Sequence, residues 1–436
     1  MKLIKVGLLG IGTVGAGTFA VLKRNQEEIR RRAGCRIEIT MVADLDTARA
    51  AAIAGAGVEV VSDANLVVNH PDIDVVVELI GGYGIARELV MKAIANGKHV
   101  VTANKALLAT HGTEIFKAAQ EQGVMVAFEA AVAGGIPIIK ALREGLTANR
   151  IQWIAGIING TTNFILSEMR DKGLDFDVVL KEAQRLGYAE ADPTFDIEGV
   201  DAAHKASIMS AIAFGTPVQF DQAYVEGITG LQAMDIRYAE QLGYRIKLLG
   251  ITRRAENGIE LRVHPTLIPA NRLIANVEGA MNAVLVQGDA VGATLYYGKG
   301  AGAEPTASAV IADLVDIARL ASADPAHRVP FLAFQPDSTA NTPILPMSEI
   351  TTSYYLRICV ADKLGVLADV TRILADASIS VDAMLQKEPA EGETQTDIII
   401  LTHQTQEKNV NAAIAAIENL ATVSGKVTRI RLEQLS

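Results

Sequence analysis

Two lysines and several carboxylates are the residues of this chain whose types and spacing could serve chemistry. In the stretch 199–214, Asp201 and Lys205 are four residues apart, on the face that also bears the large apolar residues. A helix here would place both charges against the core. A lysine held there faces either a partner or a cleft. The alternative is an ordinary ion pair at the exposed end of a helix.

Three carboxylates stand in a short loop just before this helix. The loop 187–196 contains Glu190, Asp192 and Asp196. With Lys205 beside it, the group could hold an ammonium group or a metal ion. Without such a role it would be a solvated acidic loop.

A second lysine follows a predicted buried strand. The residues Thr-Ala-Asn-Lys at 102–105 stand directly after the apolar run that begins at His99. In open parallel sheets, ligands bind at the carboxyl ends of the strands. Lys105 is therefore a candidate active-site cation, and the alternative is a surface lysine at the start of the next helix.

The N-terminal segment carries a glycine pattern suited to a dinucleotide. Residues 10–15 read G-I-G-T-V-G, directly after a predicted strand at 3–9. Gly10 and Gly12 would let the backbone approach a pyrophosphate, and Gly15 would let the next helix pack close to the strand. Free N–H groups at the start of that helix favour phosphate. We therefore expect a dinucleotide cofactor at this turn.

Two residues bear on which dinucleotide is bound. Asp44 closes the second predicted strand, where a carboxylate favours a free ribose 2′-hydroxyl and points to NAD. Its spacing from Gly15 is longer than usual, and Arg49 lies close enough to help a 2′-phosphate. The residues alone leave NAD and NADP open.

The first part of the chain predicts the α/β scaffold that these residues need. Its apolar runs are continuous, which indicates strands buried on both faces of a doubly wound parallel sheet. We predict strands at 3–9, 36–43, 74–80, 99–102 and 124–128, and a helix at 85–96. Residues 1–130 are assigned to a Rossmann-type NAD(P)-binding domain, completed by a helix near 305–320.

Two further regions follow this domain. Residues 131–304 predict a mixed α/β domain with strands at 152–158, 260–268, 281–287 and 292–297. Prolines among polar residues mark 335–350 as a linker. Residues 354–434 predict a separate ferredoxin-like domain of βαββαβ order, with strands at 355–360, 380–386, 397–402 and 427–432.

Composition narrows the class of protein. The 436 residues carry a formal net charge of −10 and no long basic run, so no nucleic-acid partner is expected. No apolar stretch is long enough to span a membrane, and the N-terminus lacks a signal-peptide pattern, so we expect a cytoplasmic protein. Cys35 and Cys359 lie far apart, which argues against a disulfide framework and a cysteine-based zinc site.

Taken in order, these motifs resemble those of one family, the homoserine dehydrogenases of the monofunctional bacterial type with a C-terminal ACT regulatory domain. The resemblance spans essentially the whole chain. Besides the glycine turn and 102–105, it is carried by segments at 129–137, 159–163, 187–196, 201–205, 298–302 and 305–306.

The resemblance implies reversible reduction of L-aspartate 4-semialdehyde to L-homoserine with NAD(P)H. Hydride addition to the aldehyde leaves negative charge on oxygen, which a nearby ammonium can stabilise and protonate. Lys205 is then the proton donor in this direction and the base in the other, with its pKa lowered by burial or by Lys105. Lys105 would orient the substrate beside the nicotinamide.

The resemblance also assigns binding residues. Glu190 and Asp196 would hold the substrate amino group, and Asp201 would orient Lys205. The substrate pocket would further include Gly160, Thr161 and Tyr188. The cofactor would contact Gly10, Gly12, Thr13, Val14, Gly15, Asp44, Asn104, Lys105 and Gly302. On family grounds we expect NADP as the physiological partner, with NAD accepted.

A cation, an effector and self-association are implied in the same way. A structural sodium ion would be bound by the Glu129 carboxylate and by the carbonyls of Val132, Gly134 and Ile136. Threonine is the expected feedback inhibitor, and its site would comprise Leu364, Gly365, Val366 and Leu367. The alternative is an ACT unit that only mediates association. A homodimer or homotetramer is expected.

Two other functions would fit part of the sequence. Aspartate semialdehyde dehydrogenase acts on the same compound but needs a thiolate, and neither Cys35 nor Cys359 is placed to supply one. A non-catalytic amino acid sensor with a relict Rossmann domain is the second. Retention of Lys105, Lys205 and the carboxylates argues against it.

Overall fold

The first domain is built around a parallel sheet. The structure, a computed structural model, describes residues 3–389 and 392–435. Within these residues the sheet has the order β3-β2-β1-β4-β5-β6. Its strands are β1 Leu3–Leu9, β2 Arg36–Ala43, β3 Glu59–Val61, β4 Val75–Glu78, β5 His99–Thr102 and β6 Val126–Ala127. The predicted doubly wound parallel sheet is confirmed, and the short edge strand β3 was not predicted.

Helices cover both faces of this sheet. They are α1 Thr13–Arg24, α2 Gln26–Ala33, α3 Thr47–Ala54, α4 Ala64–Asn69, α5 Gly84–Ala95 and α6 Lys105–Glu121. Each residue of β4 is buried, as expected for a strand covered on both sides.

A late helix returns to this domain, in agreement with the prediction near 305–320. It is α13, Ala303–Leu320, which packs against α1. The packing is close: a Cβ on Gly17 would lie 2.5 Å from the Ala303 carbonyl oxygen.

The middle region forms a mixed sheet with helices on it. Its strands are β7 Ile151–Ile157, β8 Tyr224–Val225, β9 Tyr244–Arg254, β10 Ile259–Pro269, β11 Met281–Gly288 and β12 Gly292–Lys299. Its helices are α7 Ile138–Lys140, α8 Gly160–Lys172, α9 Phe176–Arg185, α10 Thr194–Ile197, α11 Val200–Phe214 and α12 Ala233–Gln241. Strand β9 was not predicted, because charged residues interrupt its apolar run.

Helix α11 lies at the centre of this region. All of its residues from Asp201 to Phe214 are buried. Small residues dominate it, so neighbouring elements can approach on every side. Two glycines with left-handed φ, Gly199 and Gly215, flank it at its start and end.

The C-terminal region has the predicted βαββαβ core. It comprises β13 Thr351–Ala361, α14 Val366–Asp376, β14 Val381–Gln386, β15 Gln395–Thr402, β16 Thr405–Gln406, α15 Glu407–Glu418 and β17 Thr428–Leu432. Its sheet order is β17-β13-β15-β14.

This region is not separate from the middle region. Strand β17 pairs in parallel with β10 through Thr266 with Arg431 and Leu267 with Leu432, so one sheet runs through both. Of the segment predicted as a linker, 343–345 lies along β10: the Ile259 N–H donates to the Pro343 carbonyl at 2.9 Å. Among the described residues, no helix is both long and apolar enough to cross a membrane.

Candidate active site

The turn between β1 and α1 has the geometry that its glycines predict. Gly10 has a φ of +88°, which L side chains rarely adopt. A Cβ on Gly15 would lie 2.3 Å from the Gly10 carbonyl oxygen, so the helix can pack this closely only with glycine. A Cβ on Gly12 would meet no described atom within 4 Å. The turn is therefore tightly packed at Gly15 and open at Gly12.

The open side of the turn suits a pyrophosphate. Helix α1 begins with Thr13 and Val14, and no described side chain caps it at Gly12. N–H groups at a helix N-terminus bind anions well. These residues therefore fit the phosphates of a dinucleotide, whose nicotinamide would supply hydride transfer.

The Asp44 carboxylate lies at the same turn. Its Oδ2 accepts the Ile11 N–H at 2.8 Å, and its Oδ1 accepts the Asp46 N–H at 3.0 Å. Arg49 is exposed on α3. Asp44 is thus held in place by backbone N–H groups beside the glycine turn.

Two buried polar residues shape the carboxyl edge of the sheet. The Asn104 side chain caps α6: its Oδ1 accepts the Leu107 N–H at 3.0 Å, and its Nδ2 donates to the Gly82 carbonyl at 2.6 Å. Glu78, at the end of β4, accepts the Thr102 hydroxyl at 2.7 Å. Asn104 was predicted as a cofactor residue, and here its amide fixes the start of the helix that begins at Lys105. Glu78 was not predicted.

Lys105 and Lys205 meet at Asp201, although they come from different domains. The Lys205 Nζ donates to Asp201 Oδ2 at 2.7 Å, and the Lys105 Nζ lies 3.1 Å from Asp201 Oδ1. Lys205 also donates to the Ile158 carbonyl at 2.8 Å. The side chains of Lys205 and Asp201 are buried, whereas that of Lys105 is one-third exposed. The ion pair on the buried face of α11 is therefore present, and it includes a third member. We call these three residues the lysine cluster.

In the lysine cluster, the pKa values of the two lysines shift in opposite directions. Burial lowers the pKa of Lys205; Asp201 opposes this shift and Lys105 adds to it, and the net pKa is below that of an ordinary lysine. Burial also opposes charge on Lys105, but Asp201, Asp196 and Glu190 outweigh it, and its pKa is raised. Lys105 is therefore the permanent cation and Lys205 the group that can release a proton.

Asp201 remains ionised despite its burial. Burial alone would raise its pKa, but Lys205 and Lys105 lower it well below the ordinary range. Asp201 therefore carries its negative charge at neutral pH.

Asn159 joins the lysine cluster to the acidic loop. Its Nδ2 donates to Asp196 Oδ1 at 2.7 Å and to Asp201 Oδ2 at 2.9 Å. Asp196 Oδ2 in turn accepts the Thr161 hydroxyl at 3.0 Å. Asn159 was not among the predicted site residues, although it begins the segment 159–163 that the sequence singled out.

The other predicted pocket residues surround this group. The Thr161 hydroxyl contacts the Tyr188 carbonyl at 2.7 Å, and the Tyr188 ring stacks on Phe164. Gly160 begins α8, where a Cβ would lie 2.8 Å from the Ala280 carbonyl oxygen. Glu190 is exposed and acts on Lys105 through its charge.

Gly302 lies between β12 and α13. It has a φ of +119° and precedes α13, the helix that packs on α1. The turn before it, at Gly300, is pressed against Gly134, whose Cβ would lie 2.4 Å from the Gly300 carbonyl oxygen.

Glu129 is buried beside the predicted cation site. Its two carboxylate oxygens accept the N–H groups of Ile139 and Lys140 at 2.9 and 2.8 Å. Burial raises its pKa to about 7. A cation would stabilise its charge, and the carbonyls of a turn are suitable further ligands. In the described part of the chain, no three His, Cys, Asp or Glu side chains are grouped as a metal site.

That turn contains the remaining predicted cation ligands. Ala133 and Gly134 have φ values of 56° and 49°, so the backbone between Val132 and Ile136 reverses sharply. The carbonyl of Ile136 accepts the Ile138 N–H at 2.8 Å.

The predicted effector segment lies at the start of α14. Leu364 is fully exposed, and Gly365, with a φ of +90°, precedes the helix. Val366 is buried in the core of the C-terminal region, and Leu367 is half-buried.

Histidine 204 is a further residue that the sequence did not indicate. It is buried between Phe195 and Phe220, with ring centroids 5.3 and 4.2 Å away. Burial lowers its pKa to about 4. Among the described residues, its Nδ1 has no hydrogen-bond partner.

Family models match three consecutive parts of the chain. Residues 10–129 match the homoserine dehydrogenase NAD-binding domain, residues 137–315 match homoserine dehydrogenase, and residues 354–422 match the ACT domain. A homoserine dehydrogenase of Pseudomonas aeruginosa is 61% identical over the whole of both chains.

Solved structures agree with this result. A homoserine dehydrogenase from Thiobacillus denitrificans is 71% identical, with a TM-score of 0.96 over 100% of this chain and 99% of that one. A hyperthermophilic archaeal homoserine dehydrogenase in complex with NADPH is 26% identical, with a TM-score of 0.62 over 74% of this chain and 99% of that one. The chain thus belongs to the homoserine dehydrogenases, NAD(P)-dependent oxidoreductases that act on a CH–OH group.

Proposed function

We propose that this chain interconverts L-homoserine and L-aspartate 4-semialdehyde, with Lys205 as the proton-transfer residue. The observation that carries the proposal is the lysine cluster. One carboxylate, Asp201, contacts a lysine from the cofactor domain at 3.1 Å and a lysine from the substrate domain at 2.7 Å. This shared contact supports the proposal, because it brings Lys205 next to a lysine of the NAD-binding domain.

In oxidation, neutral Lys205 takes the proton of the homoserine hydroxyl. In reduction, its ammonium form returns that proton to the carbonyl oxygen as negative charge develops there. An ammonium has three N–H groups, and the described residues use two, at Asp201 and Ile158. The third is available for the substrate oxygen.

The substrate amino group is held by Glu190 and Asp196. Their negative charges complement an ammonium, and Thr161 and Asn159 hold Asp196 in one orientation. Lys105 supplies a fixed positive charge beside the reacting oxygen. Gly160 and Tyr188 line the pocket around the side chain of the substrate.

An Asp196→Asn variant tests the assignment of the amino group. Loss of one charged partner costs about 2 kcal/mol, so KM for homoserine should rise about 10- to 100-fold. KM for the dinucleotide should not change. An unchanged KM for homoserine would refute this role of Asp196.

We propose NADP as the physiological partner, with NAD accepted. The glycine turn, Gly302 and the cap residue Asn104 would contact the dinucleotide. The archaeal neighbour, solved with NADPH, supports this choice. Asp44 opposes it, because its carboxylate favours a free 2′-hydroxyl.

A steady-state assay of homoserine oxidation tests both the proposed reaction and the choice of cofactor. We expect turnover with each cofactor and a higher kcat/KM with NADP. An Asp44→Asn variant should improve kcat/KM for NADP relative to NAD. Absence of turnover with either cofactor would refute the proposed reaction.

Regulation and assembly extend the proposal. We propose that threonine inhibits the enzyme by binding at 364–367, that a structural sodium ion binds at Glu129, and that the chain forms a homodimer or homotetramer. Threonine titration of wild type and a Gly365→Val variant tests the first point, since a branched residue opposes the left-handed φ of +90° at this position. Full inhibition of the variant would place the effector elsewhere.

A further inference from the structure

One of the contacts between the C-terminal region and the middle region is centred on the carboxylate of Glu226. Arg431 on β17 donates to Glu226 Oε2 at 2.8 Å, and Arg429 on the same strand lies 3.5 Å from that oxygen. The Tyr224 hydroxyl donates to the same Oε2 at 2.6 Å. Arg431 also lies over the Tyr224 ring, 4.8 Å from its centroid. We call this set the Glu226 contact.

The Glu226 contact fixes strand β8 and the turn after it. Tyr224 and Val225 pair in parallel with Arg262 and Val263 of β10, and the Glu226 N–H donates to the Val263 carbonyl at 2.8 Å. Backbone pairing on one side and two arginines on the other leave this short segment little freedom to shift.

The turn after β8 packs against α10 at backbone distance. A Cβ on Gly227 would lie 2.4 Å from the Ile197 carbonyl oxygen and 2.6 Å from the Glu198 Cα. The Ile228 N–H donates to the Ile197 carbonyl at 2.8 Å. Any displacement of residues 226–228 must therefore displace the end of α10.

Helix α10 carries Asp196, one residue before Ile197. The Gly199 N–H donates to the Asp196 carbonyl at 3.0 Å, and Gly199 has a φ of +83° where α11 begins. Val225 and Val263 pack tightly there, because a Gly199 Cβ would lie 3.3 and 3.2 Å from their side chains. Residues 226–228, held by the Glu226 contact, therefore pack against α10, which carries Asp196.

We infer that Glu226 is a positioning residue for homoserine, and that it acts through α10 on Asp196. Through Arg431 and Arg429, the C-terminal region contributes to the substrate pocket without touching the substrate. The inference rests on the proposed binding of the substrate amino group by Asp196.

A second arginine contact between the same two regions provides a matched control. Arg357 on β13 donates to Asp235 Oδ1 at 2.6 Å, and Asp235 lies at the start of α12. The ion pair between α12 and α8 joins Glu240 to Arg170 at 3.9 Å, far along α8 from Thr161. The Asp235 carboxylate also accepts the Tyr355 hydroxyl and the Gln232 N–H, and among the described residues it has no hydrogen bond to α10, so it ties the C-terminal region to α12.

The test compares Glu226→Gln with Asp235→Asn, two changes of carboxylate to amide. The Glu226 side chain is about one-third exposed, and Arg431 keeps Glu407 as a partner, so Glu226→Gln should fold. We expect its KM for homoserine to rise about 5- to 10-fold, with kcat and KM for the dinucleotide within about twofold of wild type. Asp235→Asn should lower the thermal midpoint and leave KM for homoserine unchanged.

A double variant separates this inference from the proposed substrate site. If Glu226 acts through Asp196, Glu226→Gln should add nothing to KM for homoserine in an Asp196→Asn background. Additive effects, an unchanged KM in Glu226→Gln, or an equal rise in Asp235→Asn would each overturn the inference. If Asp196→Asn alone leaves KM for homoserine unchanged, the proposed role of Asp196 is refuted. The inference about Glu226, which rests on that role, is then refuted as well.

Discussion

The lysine cluster and the Asp235 contact are both buried ion pairs, yet they use different cations. Asp201 is held by Lys105 and Lys205, whereas Asp235 is held by Arg357. Burial and Lys105 lower the pKa of Lys205, while Asp235 outweighs burial and raises the pKa of Arg357. Burial readily lowers the pKa of a lysine enough for it to lose its proton, whereas an arginine stays charged. The first pair is therefore suited to chemistry and the second to holding two regions together.

The variant Lys205→Arg tests this comparison most strongly. Lys205→Arg keeps the positive charge but cannot release a proton at neutral pH, so kcat for homoserine oxidation should fall about 10³-fold. The measurement is steady-state oxidation with saturating cofactor.

Lys247 provides a control, because it is also a buried lysine and burial lowers its pKa to about 8. It contacts Val277 and Asn163, outside the lysine cluster. Lys247→Arg should keep kcat within a few fold of wild type. Near-normal activity of Lys205→Arg would remove the distinction between the two pairs.

Asp235→Asn tests the structural side of the comparison. It leaves the buried Arg357 charge with the more distant Asp397, at 3.9 Å, as its remaining carboxylate, at a cost of about 3 kcal/mol. The thermal midpoint should fall by several degrees, and kcat should stay at the wild-type level. Calorimetry together with activity assays measures both, and a loss of kcat without a change in thermal midpoint would contradict the assignment.

His204 lies beside the lysine cluster and provides a smaller, pH-dependent effect. Its pKa is about 4 in the folded chain and about 6.5 when unfolded, so the unfolded state binds the extra proton between these values. Stability present above pH 6.5 is therefore lost as pH falls, by about 2 kcal/mol between pH 7 and pH 5. Urea unfolding at both pH values should show this loss reduced in His204→Gln. An identical loss in the variant would exclude His204 as its source.

The smallest expected effect concerns the pH profile of the reaction. The positive charge of Lys105 helps to lower the pKa of Lys205. In Lys105→Gln, the pKa of Lys205 should rise, and the limb of kcat/KM for homoserine oxidation that requires the neutral amine should move to higher pH. A limb that stays in place or moves to lower pH would show that the two lysines are not coupled.

Sequence patterns predicted the local elements well and the connections between regions poorly. The continuous apolar strands and the glycine turn identified the parallel sheet, because both depend on residues close in the chain. Pairing of β10 with β17 joins positions more than 160 residues apart, such as Thr266 and Arg431, and no local pattern encodes it. Prolines at 336, 343 and 346 indicated a linker, but backbone hydrogen bonds hold residues 343–345 on β10.

The same limit applies to the site. The spacing of Asp201 and Lys205 on an apolar face predicted their burial, which the structure reproduces. Asn159 was missed because its role depends on two carboxylates more than 35 residues away. Glu226 gave no signal, since its arginine partners lie near the other end of the chain.

The shared sheet makes the C-terminal region a permanent part of the enzyme rather than an attachment. Removing residues 351–435 would uncover one side of β10, take the arginine partners from Glu226 and Asp235, and leave Arg262 with Glu260 alone. Such a truncated chain would have an open strand edge, which favours aggregation. Grafting a different C-terminal module onto this enzyme would therefore require the replacement to supply both a pairing strand and matching arginines.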